Sequence, residues 1–190
     1  MDRQTFIREY AAESAKVLAS LAGLAATIEL IGDTIVTSLQ HGGKVMAAGN
    51  GGSACEAMHL CEELTGRYHK TRRALAGLCL SADASAITCI ANDWDYASVF
   101  SRQLEAFAKP GDVFVVFTTS GNSENLVRAV AAAKGLGCTT IGLLGRGGGK
   151  LKGACDMELV IESIRGSHVQ EAQQAVMHLI LEQVEEAFTT

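Results

Sequence analysis

Pro110 is the only proline among 190 residues, and aromatic side chains supply just 5% of the sequence. With 20 glycines and a 48% hydrophobic content, that scarcity of proline argues against a disordered chain and suits a compact α/β domain. Positive charge is not in excess either. The net charge of −5 gives no general pull towards nucleic acid or an anionic membrane. The six cysteines (55, 61, 79, 89, 138, 155) form no C-x-x-C pair and lie in apolar segments. That pattern excludes a disulfide framework and predicts buried thiols in a reducing cytoplasm. No uninterrupted apolar stretch nears the roughly 20 residues that span a bilayer. The first residues, MDRQTFIREYAAES, carry charge where a signal peptide needs an apolar core. The expectation is a soluble, cytoplasmic protein with neither nucleic acid nor membrane as partner.

What is present centres on residues 44–68, KVMAAGNGGSACEAMHLCEELTGRY. An apolar run, Val45 to Ala48, ends in Gly49-Asn50-Gly51-Gly52-Ser53, and a stretch with helical spacing follows. Strand, glycine turn and helix together bring a small anionic ligand to a helix N-terminus. Ser53 is placed as the N-cap, and Glu56, three residues on, completes a capping-box pattern. The turn is neither G-x-G-x-x-G nor a Walker A loop, so a plain tight turn remains a rival explanation.

Taken in order, residues 2–39 read as helical, with Gly23 and Gly32 as points of break or bend. These helices either cover the sheet or build an oligomer interface. Apolar strands are expected at 74–80, 112–117, 139–144 and 157–161. Helices are expected from Asp83, through Phe100, Leu104 and Phe107, over 123–136 and over 168–188, with a loop at Asn92-Asp93-Trp94-Asp95. Short apolar strands alternating with helices predict an open, doubly wound parallel sheet flanked by helices. The chain reads as one domain, a helical segment 1–40 followed by an α/β core and closing helix over 41–190. Ligands of such folds bind outside the carboxyl ends of the strands, where the turns at 49–53 and 118–123 fall.

Thr118-Thr119-Ser120-Gly121-Asn122-Ser123 offers four hydroxyls and backbone N–H groups at a helix start. That set can surround a phosphate through hydrogen bonds and the helix dipole, without a lysine. Four hydroxyls exceed what capping needs, which favours the phosphate. His59 and Glu63 share one helix face at i,i+4, where they can ligate a metal, move protons together or simply touch at the surface. On the closing helix, Glu171 and Gln174 lie nearest the meridian of His178, and Gln170 lies about 80° off. Spacing alone does not choose between a packed His178 and a functional one.

The stretches AAGNGGSACEAMHLCEELTGRY, IANDWDYASVFSRQLEA, TTSGNSENLVRAVAAAKGLG and VQEAQQAVMH resemble the sugar-isomerase (SIS) domain family. Within it the likeness is to the enzymes that isomerise sedoheptulose 7-phosphate, and it runs almost end to end. The resemblance implies that Asn50, Gly51, Gly52 and Ser53 line the sugar-phosphate cleft. It implies that Thr118, Thr119, Ser120 and Ser123 hold the phosphate and that Asn92 and Asp93 contact substrate. Glu63 and His178 match the acid–base pair, and His59, Glu63, Gln170 and His178 match a zinc site, one ion per subunit. Gln170 is thus favoured over the better-aligned Glu171, and it also counts among the substrate-binding residues. A zinc-bound Glu63 is a poorer base, so either it releases the ion when substrate binds or the ion marks a resting state. The chain departs from the family at Arg165-Gly166-Ser167-His168, where some members carry an acidic and then a basic residue.

The activity so implied is ketose–aldose isomerisation of sedoheptulose 7-phosphate, at the start of heptose synthesis for lipopolysaccharide. Its rivals are a non-catalytic SIS protein that binds a replication initiator and a sugar-phosphate sensor. The intact His59, Glu63 and His178 favour the enzyme. Apolar surface on residues 2–39, and on a closing helix apolar nearly all round, predicts a homotetramer whose sites are completed across subunit boundaries.

Overall fold

The structure, a computed structural model, describes residues 2–189. Five strands, β1 (Val45–Ala48), β2 (Gly77–Cys79), β3 (Val113–Thr118), β4 (Thr139–Gly145) and β5 (Met157–Ile161), form one parallel sheet in the order β2-β1-β3-β4-β5. The central strands β1 and β3 are buried at every position, as the continuous apolar runs require. Alternate residues serve opposite layers. Val45, Ala47, Val113 and Val115 face one core, and Met46, Ala48, Phe114 and Val116 face the other. The first core is closed by α2 (Ala25–Gln40), α3 (Gly52–Thr65) and α7 (Gly166–Phe188). The second is closed mainly by α5 (Ser101–Phe107) and α6 (Glu124–Gly135), with α4 (Ala84–Asp93) at its margin.

α1 (Arg3–Ser20) runs into α2 through a 3₁₀ turn at Leu21–Leu24, so Gly23 marks the break expected of it. The helical run over 3–40 contains a window of mean hydropathy 1.5, long and apolar enough by composition alone to cross a membrane. That exceeds what the sequence suggested. Its residues Ile28, Ile31, Ile35 and Leu39 are buried, and α2 packs on α7 and β5. α1 buries no residue, and it leaves Phe6, Ile7 and Leu18 exposed. The closing helix differs from expectation. Val176, Met177, Ile180, Leu181 and Val184 are buried within their own chain, whereas Leu179 stays exposed.

Three further readings need correction. The second strand is short because residues 70–76 leave the sheet. Asn92 and Asp93 end α4 rather than forming a loop. Cys55 and Cys89 are exposed, whereas Cys61, Cys138 and Cys155 are buried and Cys79 lies between, all six being free thiols.

The segment after α3 fastens that helix to α7. The Arg72 side chain, fully buried, pairs with the buried carboxylate of Glu185 at 3.2 Å. Its other nitrogens donate to the carbonyls of Glu63 (2.7 Å) and Leu64 (3.0 Å), which the end of α3 leaves free. Glu185 also accepts from the backbone N–H groups of His69 (3.1 Å) and Lys70. Burial works to raise the pKa of Glu185, but those two N–H groups and Arg72 outweigh it and hold the carboxyl below its ordinary range. Removing one member strands the other charge in the interior. Glu185→Leu is therefore expected to cost about 3–5 kcal/mol. Urea unfolding of the two proteins measures it, and a loss under about 1 kcal/mol, the range of exposed pairs, would count against the latch.

Candidate active site

The sheet order reverses between β1 and β3, and ligands of open α/β sheets bind at such switch points. The loops after these two strands are tied by a reciprocal amide pair. Asn50 Nδ2 donates to Asn125 Oδ1 (3.0 Å), and Asn125 Nδ2 donates to Asn50 Oδ1 (2.9 Å). Tyr96 adds its hydroxyl to Asn50 Oδ1 at 3.0 Å. Sequence reasoning singled out neither Asn125 nor Tyr96, since their partner is fixed only by strand order.

The turn into α3 is made by Gly51, the N-cap residue, at φ +57°, where a side chain would be strained. Ser53 is therefore inside the helix and is not its cap, and the expected capping box does not form. Ser53 faces inward and accepts from Gln170 Nε2 at 3.4 Å. Glu56, only 6% exposed, has no hydrogen-bond partner on either carboxylate oxygen.

Between the two loops is a cavity of about 90 Å³ lined by Asn50, Ser53, Thr118, Thr119, Ser120, Ser123 and Gln170, with Phe117 and Leu126 behind. At about 30 Å³ per water, it has room for roughly three waters, the bulk of a phosphate group. Ser123 is the N-cap residue of α6, yet its side chain makes no capping bond, so its hydroxyl is free for a ligand. The Thr118 hydroxyl instead accepts from the N–H of Gly121 (3.1 Å) and shapes the loop. Gly121 sits at φ +64°, and a Cβ there would meet the Gly148 carbonyl at 1.8 Å, so only glycine fits. Gln173, fully buried, ties α7 to this edge by donating to the carbonyls of Thr118 (3.2 Å) and Leu143 (2.6 Å).

Further along the two helices, α3 and α7 bring His59, Glu63, Gln174 and His178 together. His59 Nε2 lies 3.3 Å from Glu63 Oε1 and 3.8 Å from Glu62 Oε1. The Glu63 side chain is 17% exposed and that of Glu62 65%, so Glu63 is tucked towards α7 and Glu62 faces outward. The rings of His59 and His178 are 5.3 Å apart, and Tyr68 stacks on His178 at 6.1 Å. Burial, and after it the charge of His59, keep the pKa of His178 below the ordinary histidine value. All of these groups belong to one chain, so they come together without a second subunit.

The remaining expected residues are placed as follows. Gln170 reaches Ser53 and the phosphate-sized cavity, and the amide meeting His59 and His178 is that of Gln174. Glu171 faces α1, where it accepts from Tyr10 (3.0 Å) and Ser14. The departure at 165–168 serves the same contact. Ser167 accepts from Tyr10 (2.7 Å), and His168 packs edge-on against the Tyr10 ring. Asn92 and Asp93 are exposed and bond to each other, and Tyr96 is the residue through which their segment reaches the loop. As for a metal, ligand atoms of His59, Glu62 and Glu63 lie within 4.8 Å of one another, a donor set of imidazole and carboxylates that suits a divalent cation.

Residues 9–145 match the SIS domain family. The phosphoheptose isomerase of Campylobacter concisus is 40% identical over 185 residues, covering 97% of this chain and 98% of its own. That of Fusobacterium nucleatum is 46% identical over 157 residues, covering 83% and 80%. Among solved structures, the phosphoheptose isomerase from Francisella tularensis matches with a TM-score of 0.94 at 29% identity, covering 98% of this chain and 100% of that one. The phosphoheptose isomerase from Neisseria gonorrhoeae matches with a TM-score of 0.92 at 33% identity, covering 97% and 100%.

Burial raises the pKa of Glu56 from 4.5 to about 7. A carboxyl raised on folding favours the folded state below its unfolded value, and the benefit is lost as pH climbs through the folded one. Between pH 4.5 and 7 the loss is on the order of 3 kcal/mol. Glu56→Gln should remove that part of the slope and be the more stable protein at pH 8. Urea unfolding at pH 5 and pH 8 reads both. Equal pH slopes for the two proteins would contradict the assignment.

Proposed function

The chain belongs to the SIS domain family, and from that premise we propose that it is a phosphoheptose isomerase. It converts sedoheptulose 7-phosphate to D-glycero-D-manno-heptose 7-phosphate, the first step of ADP-heptose synthesis for the lipopolysaccharide core. The observation that carries this reading is a spacing. Gln170 lines the phosphate-sized cavity, and His178 stands beside His59 about two turns further along α7. Eight residues at about 1.5 Å each set the two ends about 12 Å apart. An extended seven-carbon sugar phosphate, with single bonds of about 1.5 Å, measures on the order of 10 Å from C1 to phosphorus. The substrate thus reaches from the 118–123 loop to the histidines with its carbonyl end at Glu63.

The phosphate is held by the hydroxyls of Thr119, Ser120 and Ser123 and by the N-terminus of α6, whose dipole offsets the chain's negative charge locally. Asn50 and Ser53, with Gly51 and Gly52, face the sugar. Glu63 takes the proton from the carbon beside the carbonyl and returns it to the neighbouring carbon. His178 moves a proton between the two oxygens of the enediol. A lowered pKa keeps that ring neutral near pH 7, so it gives a proton from one nitrogen and can take one back. His59 and Glu63 would hold one zinc ion per subunit, which when bound would polarise the substrate carbonyl. The working unit is a cytoplasmic homotetramer, supported by the apolar residues Phe6, Ile7, Leu18, Leu30 and Leu179 left exposed on the helices.

The purified protein should turn over sedoheptulose 7-phosphate and barely act on free sedoheptulose. Glu63→Gln should keep KM within a few-fold and lose nearly all of kcat, since a transition-state role is removed and binding is not. Glu62→Gln should be close to wild type. Equal rates on both sugars, or Glu62 and Glu63 proving interchangeable, would overturn the reading.

A further inference from the structure

The proton-transfer scheme leaves one side chain of the cleft without a task. Gln174 stands one turn after Gln170 and one turn before His178, and its carboxamide lies between two imidazoles. Its amide nitrogen Nε2 is 2.5 Å from His59 Nδ1 and 3.3 Å from His178 Nε2, and turning the amide over puts its oxygen in the same place. The other nitrogen of His59, Nε2, faces Glu63 and Glu62. His59 therefore turns one nitrogen to an amide and the other to two carboxylates.

A neutral imidazole has one N–H and one lone pair, and a carboxamide can present either its oxygen or its NH₂ group. With the oxygen towards His59, Nδ1 keeps its proton and Nε2 offers a lone pair to the space beside the carboxylates. With the NH₂ group towards the ring, the lone pair moves to Nδ1 and Nε2–H points at Glu63. Only the first arrangement lets this nitrogen bind a cation together with Glu63. Metal-ligating histidines nearly always donate their second N–H to such an acceptor, which fixes the tautomer and the ring plane. Gln170 is not available for this task, because its amide is engaged with Ser53 across the helix interface. Nor is Glu171, which is held by Tyr10 and Ser14.

Building on the reading of His59 and Glu63 as cation ligands, we propose that Gln174 is a positioning residue of this site. Its carboxamide oxygen accepts Nδ1–H of His59 and so sets the tautomer that binds a divalent cation of the zinc type. The same half-turn of the amide reverses the bonding offered to His178 Nε2.

The test is Zn²⁺ affinity of the full chain, measured by competition with a chromophoric chelator. Gln174→Leu should weaken binding roughly 10- to 100-fold, the usual cost of losing such a partner. Gln174→Glu, whose carboxylate still accepts the N–H, should stay within about threefold of wild type. Gln174→Met serves in place of the leucine variant if that one does not fold. In the zinc-loaded wild type, ¹⁵N spectra should show His59 protonated at Nδ1 and coordinated through Nε2. An unchanged affinity in Gln174→Leu, an equal loss in Gln174→Glu, or coordination through Nδ1 would overturn the inference. Wild-type protein that binds no zinc would instead overturn the cation reading on which it rests.

Discussion

Two helices that are more than a hundred residues apart in the chain must stay packed for this cleft to exist. α3 carries His59 and Glu63, and α7 carries Gln170, Gln174 and His178. Their apolar faces meet over the sheet, but apolar packing alone tolerates sliding. Polar ties remove that freedom at both ends. Arg72 and Glu185 clamp the end of α3 to the later turns of α7, and Gln173 pins the start of α7 to the ends of β3 and β4. A buried charge pair gives little net stability, but its broken form is costly, so it enforces one register.

The same constraint explains how an acidic chain can hold an acidic substrate. With a net charge of −5, the whole-protein field works against a phosphate. The cavity at the switch point relies on short-range groups in its place: free hydroxyls, backbone N–H groups and the start of α6. Glycine makes that geometry possible where it matters, at Gly51 and at Gly121, whose backbone passes directly under Gly148. In the proposed reading the acid–base end at Glu63 and His178 lies about two turns of α7 from this anchor, a separation that suits the length of the substrate.

Much of this was legible in the sequence, because the signals are local. Alternation of apolar strands and helices identified the sheet, and the two glycine and hydroxyl-rich turns fell on its carboxyl edge as expected. The i,i+4 spacing of His59 and Glu63 placed them on one face, and the helical wheel put Gln174 near His178. What stayed hidden depends on partners remote in the chain. HKTRR reads as a solvated charge run, and nothing near Arg72 reveals that Glu185 waits for it 113 residues later. Ser53 looked like a cap because the positive φ of Gly51 is invisible in a residue pattern. The contact of Gln174 with His59 arises from helix packing, which no periodicity encodes. The closing helix read as an interface element because its apolar circumference does not say whether its own chain or another covers it.

The central claim is that Glu63 and His178 of a single chain form one acid–base site. It can be tested by coexpressing Glu63→Gln and His178→Ala chains under different tags, isolating assemblies that contain both, and measuring turnover of sedoheptulose 7-phosphate. Each chain then lacks one half of its own pair, so the mixed assemblies should be no more active than either variant alone. Recovery of activity above both would show that the pair is shared between subunits and would contradict the account.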